Sequence, residues 1–383
     1  MDKGSRPRIG IIFNFRKGWM GGLIYIVNLV NALNFLEDEE KPEIVVFHTA
    51  ELEELTKEMK YPYLKVVPWT FPEIYKGYLI TYFTSRNAFY QDLIDQYQLD
   101  GIYPANDQPL PPSKKQYKKT KMVAWIPDLQ HKFYPQFLDK KRIFLRELRI
   151  KIILRNVKHL VVSSHDVESH FRKFYHIRKD LKIHVLQFVS IMNNFSFDGI
   201  EDLYTKYSIP KEYFMVSNQF TNHKNHFVIL EALVLLKVKG IKVHFVFTGK
   251  MEFKQNQEYI KKIRAFVADN GIQDAISFLD VIPRQDQLCL MKHSKAVVQP
   301  SLFEGWSTVI EDAISLQVPV IASDLDVNIE QLGDAGTFFK AQDAQQLADL
   351  LATYPTHDGS DIYEKYDDRI AKYGKKFLQI FSA

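Results

Sequence analysis

AVVQPSLFEGWSTVIEDAISLQVPVIAS, residues 296–323, is the stretch that decides the fold of this chain. The apolar run 296–298 predicts a buried strand, and Pro300 and Gly305 mark a turn after it. An apolar helical pattern follows and ends before a second strand at 318–321. The order of strand, tight loop, helix and strand is the repeating unit of an α/β sheet.

The loop in this stretch has the chemistry of a site for a phosphorylated ligand. The first N–H groups of a helix lack partners and carry the positive end of its dipole, so the turn over 305–308 can bind phosphate. Ser307 or Thr308 either caps the helix or donates to the anion. Glu304 and Asp312 flank the turn as acceptor-only carboxylates that suit hydroxyl groups, a layout that a sugar nucleotide has. A loop glutamate in solvent and a capping aspartate explain these two residues equally well.

Composition limits the class of protein. A chain of 383 residues with 46% hydrophobic residues predicts two folded domains. The formal net charge of +4 does not indicate a nucleic-acid binder. Cys289 is the single cysteine, which excludes an internal disulfide or cysteine metal site and favours a reducing compartment. No apolar run reaches the roughly 18–20 residues that span a bilayer, so we expect a cytoplasmic protein.

The first half of the chain repeats the strand–helix alternation. A buried strand is predicted at 9–15 and a helix at 23–33, with Gly21 and Gly22 in the loop between them. Their spacing is not the dinucleotide fingerprint. The two glycines let a ligand approach the backbone or permit tight helix–strand packing, and the carboxyl end of a strand favours the ligand. Further strands are predicted at 44–47, 64–67, 101–103, 122–125, 160–162 and 183–186, and helices at 86–97 and 141–155.

Two segments of this half carry candidate contact residues. The loop 125–135 follows a predicted strand and contains Asp128 and His131, although a histidine beside a carboxylate is more often structural than catalytic. The helical pattern 141–155 interleaves apolar residues with Arg142, Arg146, Arg149 and Lys151. Such a helix can rest on anionic lipid at the inner face of a membrane, but a surface helix with one core face is the commoner explanation.

A second α/β series begins at 213–216. Asn218 lies in its first loop, and Lys224 precedes a predicted helix at 227–236, where a lysine can pair with a diphosphate. Two histidines beside Lys224 are weak evidence for a metal, because neither carboxylate nor thiol accompanies them. Later in the chain, Asp286 is the predicted N-cap of another helix.

These patterns predict three parts of the chain. Periodicity fades around 190–211, which indicates a connection between two doubly wound, Rossmann-like domains at 1–195 and 196–365. Residues 366–383 belong to a last helix, predicted over 361–381, that is long enough to pack back on the first domain. The predicted fold is therefore α/β, with two parallel sheets covered by helices on both faces.

The ordered motifs resemble the retaining glycosyltransferases with the GT-B fold, the family-four or glycosyl transferases group 1 type. The resemblance covers most of the chain and is strongest in its second half. Its motifs there are 218–225, Thr248–Gly249, 299–301, 304–313 and 319–323, and in the first half they are Gly21–Gly22 and 127–131.

The resemblance implies roles for individual residues of the donor site. Glu304 would hold a hydroxyl of the donor sugar, and Asp312 the ribose, with Glu311 as the alternative. Lys224 would neutralise the leaving diphosphate, helped by the turn of Gly305, Trp306, Ser307 and Thr308 and by Gly21–Gly22. The diphosphate would then need no metal ion, and the only cofactor-like molecule would be the nucleotide sugar.

Two departures from the family pattern affect this implied site. Pro127 stands where many members have a histidine before Asp128, and His131 is the candidate to replace it. A basic residue often found upstream of the lysine is also absent, since Asn218 stands there. Arg284 or Lys250, which follows Gly249, would then supply that charge.

The resulting hypothesis is a retaining hexosyltransferase of bacterial-type polysaccharide or glycoconjugate synthesis. It would use a UDP- or GDP-linked sugar in a cleft between the domains, with the glycan or lipid-linked acceptor on the first domain. A non-catalytic nucleotide-sugar-binding subunit is the alternative from another class. An NAD-dependent oxidoreductase is a further alternative, although the missing dinucleotide fingerprint speaks against it.

Overall fold

The computed structural model of the chain divides into two compact units. The first unit contains Met1–Ile191 and Asp367–Ala383, and the second contains Met192–Tyr366. The structure describes residues 6–16, 18–84, 87–107, 119–137, 139–192, 195–251, 256–355 and 361–382.

The first unit is built on a parallel sheet of seven strands. The strands are β1 (Arg8–Phe13), β2 (Glu43–His48), β3 (Leu64–Pro68), β4 (Gly101–Tyr103), β5 (Lys121–Trp125), β6 (His159–Val162) and β7 (Lys182–Val185). They lie in the order β3-β2-β1-β4-β5-β6-β7. In β1 and β2 five consecutive residues are buried, as expected of parallel strands that helices cover on both faces.

Helices cover the two faces of this sheet. They are α1 (Met20–Ala32), α2 (Glu53–Thr56), α3 (Ile74–Thr84), α4 (Gln91–Tyr97), α5 (Gln130–Phe133), α6 (Lys140–Asn156) and α7 (His165–Phe174). Strands β1 to β3 proceed toward one edge and β4 to β7 toward the other. Because such crossovers are right-handed, α1 and α2 cover one face, and α4, α6 and α7 the other. Sheets of this kind bind ligands where the direction changes, which here is between the carboxyl ends of β1 and β4.

The second unit repeats the plan with six parallel strands. The strands are β8 (Phe214–Ser217), β9 (Phe245–Thr248), β10 (Ile276–Phe278), β11 (Val297–Gln299), β12 (Val320–Ser323) and β13 (Thr337–Phe339). Their order is β10-β9-β8-β11-β12-β13, so the direction changes between β8 and β11. The helices are α8 (Ile200–Tyr207), α9 (His226–Val238), α10 (Gln257–Asp269), α11 (Arg284–Lys292), α12 (Thr308–Ser315), α13 (Asp326–Leu332) and α14 (Ala344–Thr353).

The last helix, α15 (Tyr366–Ser382), belongs almost entirely to the first unit. Its Phe377 ring packs edge-on against Tyr103 at the end of β4, with 5.4 Å between the ring centroids. The Lys121 ammonium donates to the carbonyls of Ile380 and Phe381 at 3.1 and 3.2 Å. A Cβ atom on Gly101 would overlap the Phe381 ring, so a glycine in β4 admits the helix.

The predicted α/β class with two doubly wound parallel sheets is confirmed. Several predicted boundaries were wrong. The helix predicted from residue 86 begins at Gln91, since Asn87 accepts hydrogen bonds from the amides of Phe89 and Tyr90 in a turn before it. The last helix begins at Tyr366 rather than at 361.

The predicted N-cap at Asp286 was also wrong. Helix α11 begins two residues earlier, after Pro283, and Asp286 lies in its first turn. The Asp286 carboxylate accepts hydrogen bonds from Lys206 at 2.7 Å and Tyr207 at 2.6 Å, so it fastens α8 to α11 instead of capping. Among the described residues no helix is both long and apolar enough to cross a bilayer.

Candidate functional site

The candidate site of the second unit forms where its strand order changes direction. The loop after β8 carries Lys224, and the loop after β11 carries Glu304. The two loops are joined by backbone, because the Leu302 amide donates to the His223 carbonyl at 2.7 Å. Asn225 has φ 53° and ψ 43°, and its side-chain amide donates to the Pro300 carbonyl at 3.1 Å. This left-handed residue ends the first loop and fixes it against the second.

Lys224 and Glu304 form the centre of this site. The Lys224 ammonium and Glu304 Oε1 are 2.5 Å apart, and both side chains are largely buried. Gln299, at the end of β11, donates to the same Glu304 oxygen at 2.7 Å. Asn218 in turn donates to Gln299 Oε1 at 2.8 Å. The site thus holds a buried carboxylate and a buried cation in fixed positions.

The pKa of Glu304 lies below its ordinary value. Burial raises the pKa, but the charge of Lys224 and its hydrogen bond lower it, together with a hydrogen bond from Ser301 and the charge of His223. The Glu304 carboxylate is therefore ionised at neutral pH, and it can accept hydrogen bonds but not donate them.

Glu311 lies in the first turn of α12, and its side chain is hydrogen-bonded to the preceding loop and to α13. Its Oε1 accepts hydrogen bonds from the Trp306 indole at 3.1 Å and from Gln331 of α13 at 2.9 Å. Gln331 also bonds both backbone groups of Ser307, whose side chain caps α12 by accepting from the Ile310 amide at 3.3 Å. Of the two predicted possibilities for Ser307, the structure shows capping.

Asp312 lies on the next position of α12 and has a different partner. Arg284 of α11 donates to Asp312 Oδ1 at 2.6 Å, and the Asp312 side chain is 2% exposed. The other guanidinium nitrogen of Arg284 donates to Gln287 at 3.1 Å. Arg284 remains 31% exposed, so the pair presents a fixed cation at the surface of the site.

Several further predicted residues line the neighbouring loops. Gly249 has φ 129°, and a Cβ atom there would overlap the Asn218 carbonyl, so this glycine permits close approach of the loops after β8 and β9. Lys250 is exposed. Gly305 and Trp306 lie in the turn before α12, and Thr308 is its first helical residue.

Of the two histidines beside Lys224, His226 belongs to the core of the second unit. His226 is buried and stacks on Phe220, with 4.3 Å between ring centroids. Burial, and next the charges of Lys224 and His223, lower the pKa of His226 to about 3. In the described part of the chain no group of three or more His, Cys, Asp or Glu side chains is placed to hold a metal ion.

In the first unit, Gly21 and Gly22 lie within α1, and the prediction of a glycine loop before the helix was wrong. The helix begins at Met20, so both glycines lie in its first turn, where the N–H groups have no partner within the helix. A Cβ atom on Gly22 would overlap the indole of Trp19. Trp19 stacks on Trp125 at 5.5 Å between ring centroids, and the Trp125 indole N–H is buried without a hydrogen-bond partner. Gly22 therefore makes room for an aromatic stack beside the β1 end.

Asp128 and His131 both turn toward α6. Arg146 donates to Asp128 Oδ1 at 2.7 Å, and His131 Nε2 lies 2.5 Å from Glu147 Oε1. Burial lowers the pKa of His131, and the positive charges of Arg146 and Lys132 lower it further. The hydrogen bond to Glu147 and the charge of Glu147 raise it, but by less. Burial raises the pKa of Glu147, but hydrogen bonds from Lys132, Tyr175 and His131 bring it down to about 2. The structure gives both candidates partners in α6.

This network predicts a specific effect of acid. A carboxylate whose folded pKa is depressed stabilises the fold above its unfolded pKa, and that stability is lost as the pH falls toward the folded pKa. We expect Glu147→Gln to lower the unfolding free energy by about 2 kcal/mol at pH 7. The difference from the unmodified protein should shrink between about pH 5 and pH 2, measured by urea unfolding. Glu258→Gln in the exposed Lys261–Glu258 pair is the control. A difference that stays constant over this range would contradict the expectation.

Sequence reasoning missed Gln331 and Trp19, and it placed Gln299 in the 299–301 motif without giving it a role. Gln299 is a fully buried polar residue at the end of a buried strand, directly before Pro300, and that position is a readable signal. Gln331 acts from a helix 24 residues away from Ser307, and no spacing in the sequence indicates that contact.

Comparison with known proteins defines the class of the second unit. Residues 205–377 match the family described as Glycosyl transferases group 1. Residues 205–377 therefore form a glycosyl transferases group 1 domain, and the resemblance inferred from the motifs is confirmed for this part of the chain. The O-antigen chain mannosyltransferase RfbU of Salmonella typhimurium is 21% identical over 248 residues, 65% of this chain and 64% of the relative. Glycosyltransferase 1 domain-containing protein 1 of Xenopus tropicalis is 34% identical over 128 residues, 33% of each chain. The chain thus spans from a third to just under two thirds of these relatives.

Solved structures are similar over nearly the whole chain. HepE of Anabaena, in complex with UDP and glucose, has a TM-score of 0.68 at 15% identity and covers 97% of this chain and 99% of its own. A glycosyltransferase from Rickettsia africae has a TM-score of 0.66 at 16% identity, with 98% of both chains covered. This similarity shows that the fold is GT-B.

Proposed function

We propose that the protein is a retaining glycosyltransferase that moves a hexosyl group from a UDP- or GDP-linked sugar to a hydroxyl of a glycan or lipid-linked acceptor. The observation that carries the proposal is the Lys224–Glu304 pair at the point where the strand order of the second unit changes. The HepE structures with UDP and with UDP-glucose support a nucleotide sugar as donor. RfbU, named a mannosyltransferase of O-antigen chains, supports a role in polysaccharide or glycoconjugate synthesis.

In this proposal the second unit binds the donor and the first unit the acceptor. Lys224 stabilises the charge that develops on the departing diphosphate, and the amides at the start of α12 assist it. Glu304 accepts a hydrogen bond from a hydroxyl of the donor sugar, which positions the ring. The bond from the sugar C1 to the diphosphate breaks, and the acceptor oxygen bonds C1 on the same face. The acceptor proton passes to the departing diphosphate.

The ribose contact follows from the different partners of the two neighbouring carboxylates. Glu311 is engaged by Trp306 of the loop before α12 and by Gln331 of α13. Asp312 has one described partner, Arg284, which also gives the site a cation that the sequence lacks upstream of Lys224. Asp312 rather than Glu311 therefore takes the ribose, and Arg284 adds charge toward the nucleotide. Asn218, Gly249 and Lys250 shape the neighbouring loops.

For Gly21 and Gly22 of the first unit the proposal keeps the role that the resemblance implies, in which their amides assist binding of the donor phosphates. Asp128 and His131 likewise keep their implied role as polar groups of the transfer reaction. The proposal also includes a cytoplasmic location, as the sequence predicts, and peripheral contact with anionic lipid through Arg142, Arg146, Arg149 and Lys151. No divalent metal is required, because lysine and helix dipole supply the positive field.

A screen of nucleotide sugars, read by mass spectrometry of the released nucleotide with and without EDTA, tests this function. We expect one UDP- or GDP-linked hexose to be consumed, with the same rate in EDTA. Binding of UDP or GDP in a thermal-shift assay without turnover of any sugar nucleotide would indicate a non-catalytic subunit. Stabilisation by NAD alone would overturn the proposal.

A further inference from the structure

Helix α3 exposes an unusual amount of apolar surface. Its sequence is IYKGYLITYFT, with one charged residue in eleven. Six large side chains are between 48% and 78% exposed: Ile74, Tyr75, Leu79, Ile80, Tyr82 and Phe83. A helix that is apolar on nearly every side is normally buried, and large exposed apolar patches mark interaction surfaces.

The opposite side of α3 is held firmly on the first unit. Gly77 packs on the Phe89 ring, since a Cβ atom there would overlap it. Tyr78 meets the same ring edge-on with 5.7 Å between the centroids. Thr81 is buried, and its hydroxyl accepts a hydrogen bond from the Ala88 amide at 3.1 Å. The exposed face is therefore the outward side of an anchored helix.

Helix α6 exposes a second apolar stretch. Its first half exposes Phe144, Leu145 and Leu148 at 66%, 51% and 44%. The link to α3 runs through Asp107. Its carboxylate pairs with Arg149 of α6 at 2.7 Å, and its amide donates a hydrogen bond to Tyr90 Oη at 2.9 Å. Tyr90 follows Phe89, on which α3 packs. Burial raises the pKa of Tyr78, Asp107 raises it further and Arg149 lowers it, so Tyr78 lies near both charges.

The charge around this apolar surface is strongly positive. Helix α6 contains seven basic residues and one acid, Glu147, in the sequence KKRIFLRELRIKIILRN. Arg142, Arg146 and Arg149 pair with Asp139, Asp128 and Asp107. In the described part of the chain no ion pair engages the remaining four, which are Lys140, Lys141, Lys151 and Arg155.

We infer that α3 and the first half of α6 form one membrane-binding surface that seats on an anionic lipid bilayer. Tyrosine and phenylalanine side chains of α3 enter the headgroup region, and the basic side chains of α6 meet the lipid phosphates. A symmetric contact between two copies through this surface would bring both cationic α6 helices into one interface, which like charges oppose. The inference deepens the peripheral contact proposed above by adding α3, and it does not depend on glycosyl transfer.

Co-sedimentation of the full-length protein with lipid vesicles tests the inference. We expect binding to vesicles of phosphatidylcholine with about 30% phosphatidylglycerol, and at least tenfold weaker binding to phosphatidylcholine alone. The variant Leu79→Ser/Phe83→Ser should lower the partition coefficient at least tenfold. A second variant, Lys140→Glu/Lys141→Glu, should lower the partition coefficient by more than the first variant does. Each basic residue near an anionic surface contributes roughly a fivefold change. High salt should weaken binding of the unmodified protein.

Matched control variants separate this surface from general effects. Val238→Ser removes an apolar side chain that is 82% exposed in the second unit, and it should leave vesicle binding unchanged. Lys262→Glu on α10 controls for charge. Equal partition of Leu79→Ser/Phe83→Ser and the unmodified protein would overturn the inference. The inference would also be overturned if the unmodified protein were a stable dimer, if Leu79→Ser/Phe83→Ser dissociated that dimer, and if neither protein bound vesicles. Since no nucleotide sugar is present, failure here is distinct from failure of the transfer reaction.

Discussion

Replacing Lys224 by methionine is expected to lower kcat/KM for glycosyl transfer by about 10²–10³-fold, because the developing charge on the diphosphate loses its buried cation. Glu304→Gln should cause a loss of similar size, since the amide keeps the shape of the side chain but loses the charge that Lys224 faces. Initial rates with saturating acceptor, measured across donor concentrations, give kcat and KM for each variant. Transfer at the unmodified rate in both folded variants would contradict the assigned roles.

The same pair allows a loss of chemistry to be separated from a loss of fold. Lys224→Met leaves Glu304 buried without its cation, which costs about 3–5 kcal/mol of stability. The double variant Lys224→Met/Glu304→Gln removes both charges, so it should recover most of that stability and none of the activity. The exposed Lys261–Glu258 pair is the control, where the same two substitutions should change stability by less than about 1 kcal/mol.

Asp312→Asn is expected to remove the preference of the protein for a ribonucleotide over its 2′-deoxy analogue. A hydroxyl that donates to a carboxylate contributes about 1.5–3 kcal/mol, so the unmodified protein should bind UDP or GDP roughly 10–100-fold more tightly than the deoxy form. Isothermal titration with both nucleotides measures this ratio. Glu311→Gln should keep the ratio, because Glu311 is engaged by Trp306 and Gln331. A ratio lost in Glu311→Gln and kept in Asp312→Asn would reverse the assignment.

Arg284 provides an independent check on this assignment. Arg284→Ala leaves the buried Asp312 without its described cation and should lower both stability and nucleotide affinity. Arg284→Lys keeps the charge but cannot reach Asp312 and Gln287 together, so only partial recovery is expected.

Most of the fold could be predicted because strand burial and helix periodicity are local patterns. The stretch 296–323 gave β11, α12 and β12 in the right order, since β-branched runs and turn residues mark their limits. Predicted helix boundaries were wrong where a side chain bonds to residues far away in the sequence. Asp286 looks like a cap in sequence, but the Lys206 and Tyr207 side chains draw its carboxylate to α8.

The sequence named candidate residues for the site but did not indicate how they are connected. Glu304, Lys224 and Asp312 were predicted as candidates from their positions in strand–loop–helix units. The pairing of Arg284 with Asp312 joins residues 28 apart, and the Trp19 stack over Gly22 joins α1 to β5. Such contacts depend on which loops the sheet order brings together, and a single sequence carries no local signal for that.

The return of α15 has a consequence for how the chain is made. The second unit is one continuous segment, whereas the first unit is completed only by residues after Tyr366. During synthesis the second unit can therefore finish folding while β4 and β5 still await Phe377, Phe381 and the carbonyls that Lys121 binds. The first unit, although most of it is synthesised first, is thus the last to reach its final structure.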